Sequence, residues 1–258
     1  MDGVILAVLV IGGSVLYGVL AVLAGRKIAH RHVGEGHNDV LVPVFLTAGV
    51  IYAVLLGFMV IAVWEAYDTA HANISEEAAI LVPLYRQTVA MAPDKGPAMR
   101  TLIRDYTVNV IDDEWRTMQV SGRASPKARE SMGDILRVYG TLTPATKIRE
   151  IIAAQYLQTL SQVVLDRNKR ISESSESLSW VMWLGAIGGG AIIVAMSSVL
   201  HMDRRWPHVL MVAVMSGLIG LLLFIIAVLS RPFVGPLALD PAPFEQSLAA
   251  FTDIDQGR

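Results

Sequence analysis

Cysteine is absent from this chain, which excludes disulfides, thiolate nucleophiles and Cys-based zinc or iron–sulfur sites. Charge is scarce as well: Asp, Glu, Lys and Arg make up 17% of the residues, against about 25% in soluble domains. A net charge of −2 leaves no basic surplus for nucleic acid, which is not an expected partner. Enzyme signatures are missing too. There is no His-Glu-x-x-His, no Gly-x-x-x-x-Gly-Lys and no Gly-x-Ser-x-Gly, and no histidine stands with carboxylates at ligand spacing. The sequence therefore points to no enzyme, no cofactor and no resident metal. What it has in excess is apolar surface: 53% of its 258 residues are hydrophobic and the mean hydropathy is +0.51, which excludes a disordered chain.

The apolar residues gather in four runs, at 4–24, 42–64, 179–200 and 209–230, none of which contains Asp, Glu, Lys, Arg or His. Each is long enough to cross a bilayer, which takes about 20 residues of helix. The first run follows Met1-Asp2-Gly3 with no positive start, so it reads as a retained helix and not a cleaved signal. Between runs two and three, the apolar residues recur at three and four: Met99, Leu102, Ile103, Tyr106, Val110, then Ile148, Ile151, Ile152, Tyr156, Leu160, Val163, Val164. That is helical periodicity. Pro83, Pro93, Pro97, Pro126 and Pro144 punctuate the region, and Ser125-Pro126 and Thr143-Pro144 look like helix starts. The first helix of the region continues out of span two. The last is expected to run unbroken from Pro144 into span three, past the serine-rich 172–179. After Arg231 the tail is proline-rich, with a short helix starting near Pro243.

The chain thus reads as an all-α membrane protein, four transmembrane helices with a helical extramembrane domain inserted between helices 2 and 3. The expected divisions are 1–64 for the first two spans, 65–178 for the helical domain, 179–230 for spans three and four, and 231–258 for the tail. Arg26, Lys27 and Arg31 in one hairpin loop, with Arg204 and Arg205 in the other, place both loops in the cytoplasm by the positive-inside rule. The helical domain and both termini then lie outside, as periplasmic parts of a protein of the bacterial inner membrane.

Small residues at i, i+4 form packing stripes inside the spans. They are Gly49, Ala53 and Gly57 in span two, Gly185 and Gly189 in span three, and Gly217 and Gly220 in span four, the last two paired with Ala213 and Ser216. Three stripes in four helices leave faces for neighbouring copies, so a homo-oligomer in the lipid bilayer is expected. The spans lack the carboxylates or arginines that proton-coupled transporters and voltage sensors need. An apolar, dewetting pore for inorganic ions remains compatible.

The run Gly49-Val-Ile-Tyr-Ala-Val-Leu-Leu-Gly-Phe-Met-Val60 is followed by Trp64, Tyr67 and Ser75-Glu-Glu-Ala78. Asp113-Glu114-Trp115, Arg167-Asn-Lys-Arg170, Trp180, Trp183 and Arg231-Pro-Phe-Val-Gly235 come after it. Together, over roughly residues 42–250, these resemble a bacterial membrane family labelled bestrophin-like. The resemblance implies a relation to bestrophins, pentameric anion channels whose second membrane helix lines the pore with a hydrophobic neck. It places that neck at Ile51, Leu55, Phe58 and Ala62, with Phe58 its only aromatic. The acidic calcium clasp of bestrophins has no counterpart beyond Asp253 and Asp255, and their cytoplasmic helical domain is opposite to the orientation given by the loop charges.

Further candidates come from the residues themselves. Glu65, Asp68, Thr69, Ala72 and Glu76 share one face of the helix leaving span two. In a ring of subunits they would favour cations in a central vestibule; otherwise they are an ordinary solvated face. His30, His32, His37, His201 and His208 sit in or beside the two hairpin loops, as a proton or metal sensor or as solvated loop residues. Asp112, Asp113 and Glu114 are expected to splay round a helix as a solvated surface, with Trp115 packed inward. Trp180, Trp183 and Trp206 are interface anchors. The reading that results is an ion channel of bestrophin-like design. The alternative is a non-conducting scaffold or sensor whose helical domain binds an envelope partner.

Overall fold

Nine α-helices run through the described residues in the order α1 (Gly3–His32), α2 (His37–Gln87), α3 (Lys95–Asn109), α4 (Trp115–Ser121), α5 (Pro126–Tyr139), α6 (Lys147–Ser175), α7 (Trp180–Ser198), α8 (Arg205–Leu229) and α9 (Ala242–Asp255). A short 3₁₀ turn, Thr88–Ala90, follows α2, and a π-helical turn, Val110–Glu114, joins α3 to α4. The structure is a computed structural model that describes residues 3–32, 37–143, 146–202 and 204–257, with the side chains of 28–32 outside the description. Among the described residues there is no strand.

Two compact units emerge. The first comprises Met1–Tyr67, Ser177–Arg231 and Gly235–Leu237, and the second Asp68–Glu176, Pro232–Val234 and Ala238–Arg258. Four helical stretches are long and apolar enough to cross a membrane: Gly3–Lys27, the stretch within His37–Ala90, Trp180–Ser198 and Arg205–Leu229.

In the first unit the helices close on one another through small residues. α1 and α8 run antiparallel, since Gly18 faces Ser216 while Gly220 faces Ser14. A methyl group added at Gly18 would lie 2.9 Å from Ser216 Cβ, and one at Gly220 would lie 2.8 Å from Ser14 Cβ. Gly25 meets the Ser198 backbone of α7 in the same way, and Val22, Val194 and Val212 fill the space between the three helices. α2 is held to α7 by Tyr52, whose hydroxyl donates to the Ala186 carbonyl at 2.8 Å and whose ring covers Gly189 and Gly190. Leu56, Met59 and Val63 of α2, with Ile193, Ile226 and Leu229, complete that core.

The second unit is an ordinary helical core. Ile74, Leu81, Leu84 and Tyr85 from α2 are buried, as are Met99, Ile103 and Tyr106 from α3, and Met132 and Ile135 from α5. Tyr156, Leu160 and Val163 from α6 and Phe244 and Phe251 from α9 are buried as well. Phe251 stacks on Tyr85 at 4.2 Å between ring centroids, and Ser247 Oγ donates to the Ala78 carbonyl at 2.7 Å. Helix α9 begins beside Pro243, where the tail was expected to turn helical. Asp255 near its end pairs with Arg100 at 3.1 Å and Arg104 at 3.0 Å.

Several local expectations need correction. Pro83 does not end α2, which continues to Gln87; an interior proline costs about 3 kcal/mol, and fully burying Leu81, Leu84 and Tyr85 around it offsets that, at roughly 1.5–3 kcal/mol for each leucine. Pro144 lies outside the described residues, and the cap of α6 is Thr146, whose Oγ1 accepts from Arg149 N at 3.3 Å. Helix α6 does not run into span three either. It stops at Ser175 and α7 starts at Trp180, because Ser174 and Ser175 donate to the carbonyls of Ile171 and Ser172 and Ser179 accepts from Val181 N. Serine side chains competing for backbone groups break helices in this way. Ile148 and Ile151, expected to belong to the α6 apolar stripe, are exposed. The Ser125 cap is present, accepting from Ala128 N at 3.3 Å.

Replacing Gly18 or Gly220 by valine forces α1 and α8 apart. Overpacking of this kind costs about 1–3 kcal/mol, so each variant should melt earlier than wild type in detergent, followed as loss of the monodisperse peak on heating. Gly57→Val, at a position where an added Cβ has nothing within 4 Å among the described residues, should melt like wild type in any state where single chains are dispersed.

Candidate functional site

Helix α2 has two different faces within the membrane stretch. Tyr52, Leu56, Met59 and Val63, spaced four, three and four apart, are buried against α7 and α8. Ile51, Leu55, Phe58 and Ala62, with the same spacing one position back, are exposed in the single chain. Ile51 and Phe58 are 67% and 68% exposed, while Leu55 is 38% exposed, because its tip packs over Gly185, where an added methyl would touch it at 3.4 Å. Leu55 therefore stands at the edge of the open face, and Ile51 and Phe58 stand within it.

The small-residue stripes divide in the same way. Gly185, Gly189, Gly217 and Gly220 are used inside the chain, against Leu55, Tyr52, Val15 and Ser14 in turn. Gly49 and Gly57 meet nothing within 4 Å, and Ala53 between them is exposed. Among the described residues, the glycines of the stripe on α2 thus meet no partner in their own chain.

Past the apolar stretch the same helix carries Glu65, Asp68, Thr69, Ala72 and Glu76, all exposed. Neither Glu65 nor Asp68 forms an ion pair among the described residues, and Glu76 lies near Lys169, whose ammonium is held charged chiefly by Asp166 at 2.9 Å. Tyr67, between them, donates to the Leu237 carbonyl at 2.9 Å.

The side chains of His30 and His32 lie outside the described residues. Asn38 bonds the main chain of His201 in both directions, at 2.9 Å each. His37 has a buried Nε2 without a hydrogen-bond partner among the described residues. His208 is buried, which corrects the expectation of a solvated loop residue: it lies in the first turn of α8, with Nε2 3.0 Å from the Ser197 carbonyl. Among the described residues no group of three or more metal-ligating side chains comes together.

A family profile, the bestrophin-like domain, matches residues 5–244. The chain belongs to the bestrophin-like family. Two crystal structures of a bacterial bestrophin homologue from Klebsiella pneumoniae, each with a point mutation, are similar in fold. Their TM-scores are 0.72 and 0.71 at 13% identity, over 96% of this chain and 98% of theirs. The structure of a membrane protein with 12% identity gives a TM-score of 0.69 over the same shares. At these identities the likeness is one of fold. No curated protein matches the chain in sequence.

The second unit of this bestrophin-like chain hides a charge network that the sequence reading missed. Glu77, Glu114 and Arg170 are fully buried and Arg167 nearly so. Arg170 Nε donates to Glu77 at 2.6 Å, and its Nη2 donates to Glu77 at 3.0 Å and Glu114 at 2.9 Å. Arg167 Nε donates to Glu114 at 3.2 Å, as does the Ser125 main-chain N–H, and Tyr106 donates to Glu77 at 2.8 Å. The Arg170 guanidinium also lies over the rings of Trp115 and Phe244, 5.6 and 5.3 Å from their centroids, within cation–π range of both. Burial acts against its charge, but Glu77 and Glu114 outweigh that and hold it protonated; burial, with the Glu77 charge beside it, pushes the Tyr106 hydroxyl well above its usual range. The expectation that Asp112, Asp113 and Glu114 form a solvated surface thus fails at Glu114. The π-turn widens the helix there, so that Glu114 and Trp115 both point inward, while Asp113 accepts from the Ser125 hydroxyl.

Removing one partner of a buried ion pair costs about 3–5 kcal/mol. Arg170→Met should destabilise the protein by that order, because two carboxylates are left buried without it. In a double-mutant cycle, Glu77→Met combined with Arg170→Met should cost clearly less than the sum of the two single changes, as read by thermal unfolding of the purified protein.

Proposed function

We propose that this protein is a homo-oligomeric ion channel in which α2 lines the pore. One observation carries the reading: in a chain of the bestrophin-like family, a single helix presents an exposed apolar line, Ile51, Leu55, Phe58 and Ala62, that passes into an exposed acidic line. A ring of such helices forms a hydrophobic constriction that gates by wetting and dewetting. Phe58, the largest side chain on the line, is the gate. The open stripe Gly49, Ala53 and Gly57 gives the neighbouring copy its close approach. Five copies are the number that the family resemblance implies.

Glu65 follows the constriction by one turn, and Asp68, Thr69 and Glu76 extend the acidic line along the same helix. Each copy repeats these carboxylates, and rings of carboxylate favour cations over anions. The selectivity we infer from these residues is therefore cationic, whereas the bestrophin relation alone would give an anion. The chain sits in the bacterial inner membrane in this reading, with the helical part between spans two and three outside the bilayer.

Recordings from purified protein in planar bilayers test the reading, and absence of any conductance under varied pH, calcium and tension would overturn it. Phe58→Ala should raise basal current, and an unchanged current would remove α2 from the gate. Under a salt gradient Glu65→Gln should move the reversal potential away from the cation equilibrium value toward zero. No shift would place Glu65 outside the conduction path.

A further inference from the structure

A cavity of about 460 Å³ lies within the first unit, between α1, α7 and α8. It exists because Gly13, Gly190 and Ala191 line it with little or no side chain, beside the serines Ser14 and Ser216. Its walls contain no charged residue. The three hydroxyls in the lining have already given their hydrogens to helix carbonyls: Ser14 to Val10 at 2.8 Å, Ser216 to Val212 at 2.8 Å, and Tyr17 to Ala191 at 3.2 Å. The groove therefore makes no demand for a polar ligand, and hydrocarbon is the chemistry that it matches.

Its place and dimensions narrow the occupant. Every lining residue lies in a helix long and apolar enough to cross a membrane. Along α1 the lining runs from Leu9 to Tyr17, about 12 Å of helix at 1.5 Å per residue. The volume exceeds the roughly 150 Å³ of an apolar cavity that stays dry and binds benzene. Walls without partner atoms forfeit their dispersion contacts, and Leu9 and Tyr17 are exposed at the groove's margin, so its mouth is open to whatever surrounds the helices. In a bilayer that surrounding is lipid tails. We propose that this groove is a binding site for one acyl chain of a membrane phospholipid, held between spans one, three and four. The site needs only that the spans lie in a bilayer, and it stands whether or not the protein conducts.

Two adjacent glycines provide the test. A side chain at either Gly12 or Gly13 starts in open space, with nothing within 4 Å, but only Gly13 lines the groove. Wild type, Gly12→Leu and Gly13→Leu would be reconstituted in vesicles of dioleoyl phosphatidylcholine, re-extracted in mild detergent and washed. Retained phosphatidylcholine is then counted by native mass spectrometry. Wild type and Gly12→Leu should keep the lipid, and Gly13→Leu should lose most of it. Gly13→Ala, a smaller intrusion, should fall between them and carries the test if leucine disturbs insertion. Equal retention by the Gly12 and Gly13 variants, or none by wild type, would overturn the proposal. So would a cross-link showing a neighbouring subunit's side chain in the groove.

Discussion

In hydrocarbon, helices gain little from placing apolar side chains together, because lipid tails are as apolar as leucine. What holds them is close approach of backbones, and in the first unit that constraint decides everything else. Gly18 against Ser216 and Gly220 against Ser14 bring α1 onto α8, while Gly189 and Gly190 receive the Tyr52 ring and bring α2 onto α7. Once Tyr52, Leu56, Met59 and Val63 are committed to that seam, helical geometry turns Ile51 and Phe58 outward, together with Gly49 and Gly57. The open face of α2 is thus a consequence of the seam, and the same small residues leave the groove beside α1.

The second unit solves a different problem with different chemistry. Its helices sit around a buried core into which two glutamates and two arginines are built. Such a network is a poor source of net stability, since desolvation cancels most of the attraction, but every acceptor and donor in it fixes a register. Glu77 on α2, Glu114 at the π-turn and Arg167 and Arg170 on α6 meet in one arrangement, and Phe244 of α9 closes over it. Nearby, burial pushes the Glu173 carboxyl up, with the Asn73 amide partly opposing that. At the far end of α9, hydrogen bonds from Tyr85, Arg100 and Arg104 outweigh burial and lower Asp255. Asp255 so lowered contributes stability above the ordinary carboxylate range and loses it as the pH falls through the lowered value.

Much of this was legible in the sequence where one rule dominates. Charge-free runs of 20 residues or more have no alternative to helix in lipid, and Ser125 before Pro126 has few alternatives to a cap. The errors arose where tertiary packing overrode local signals, as at Pro83, or where several weak serine bonds combined, as at 174–179. The buried network had a signal that went unread. The apolar stripe Tyr156, Leu160, Val163 continues in step to Arg167 and Arg170, and Ile74, Leu81 and Leu84 bracket Glu77. Charges of opposite sign at core positions of two helices mark a buried pair. Glu114 could not be placed this way, because a π-turn shifts the helical phase and local sequence does not announce it.

The functional reading depends on α2 facing water in the assembled protein, and the lack of native cysteine allows that to be measured without background. Single cysteines placed by Ile51→Cys, Phe58→Cys and Ala62→Cys, and at the exposed neighbours by Val50→Cys, Val54→Cys and Ile61→Cys, would be treated in vesicles with a charged, membrane-impermeant thiol reagent applied to both sides. A pore lined by α2 predicts modification at 51, 58 and 62 and protection at 50, 54 and 61. Protection of all six, or modification without regard to helical face, would contradict it.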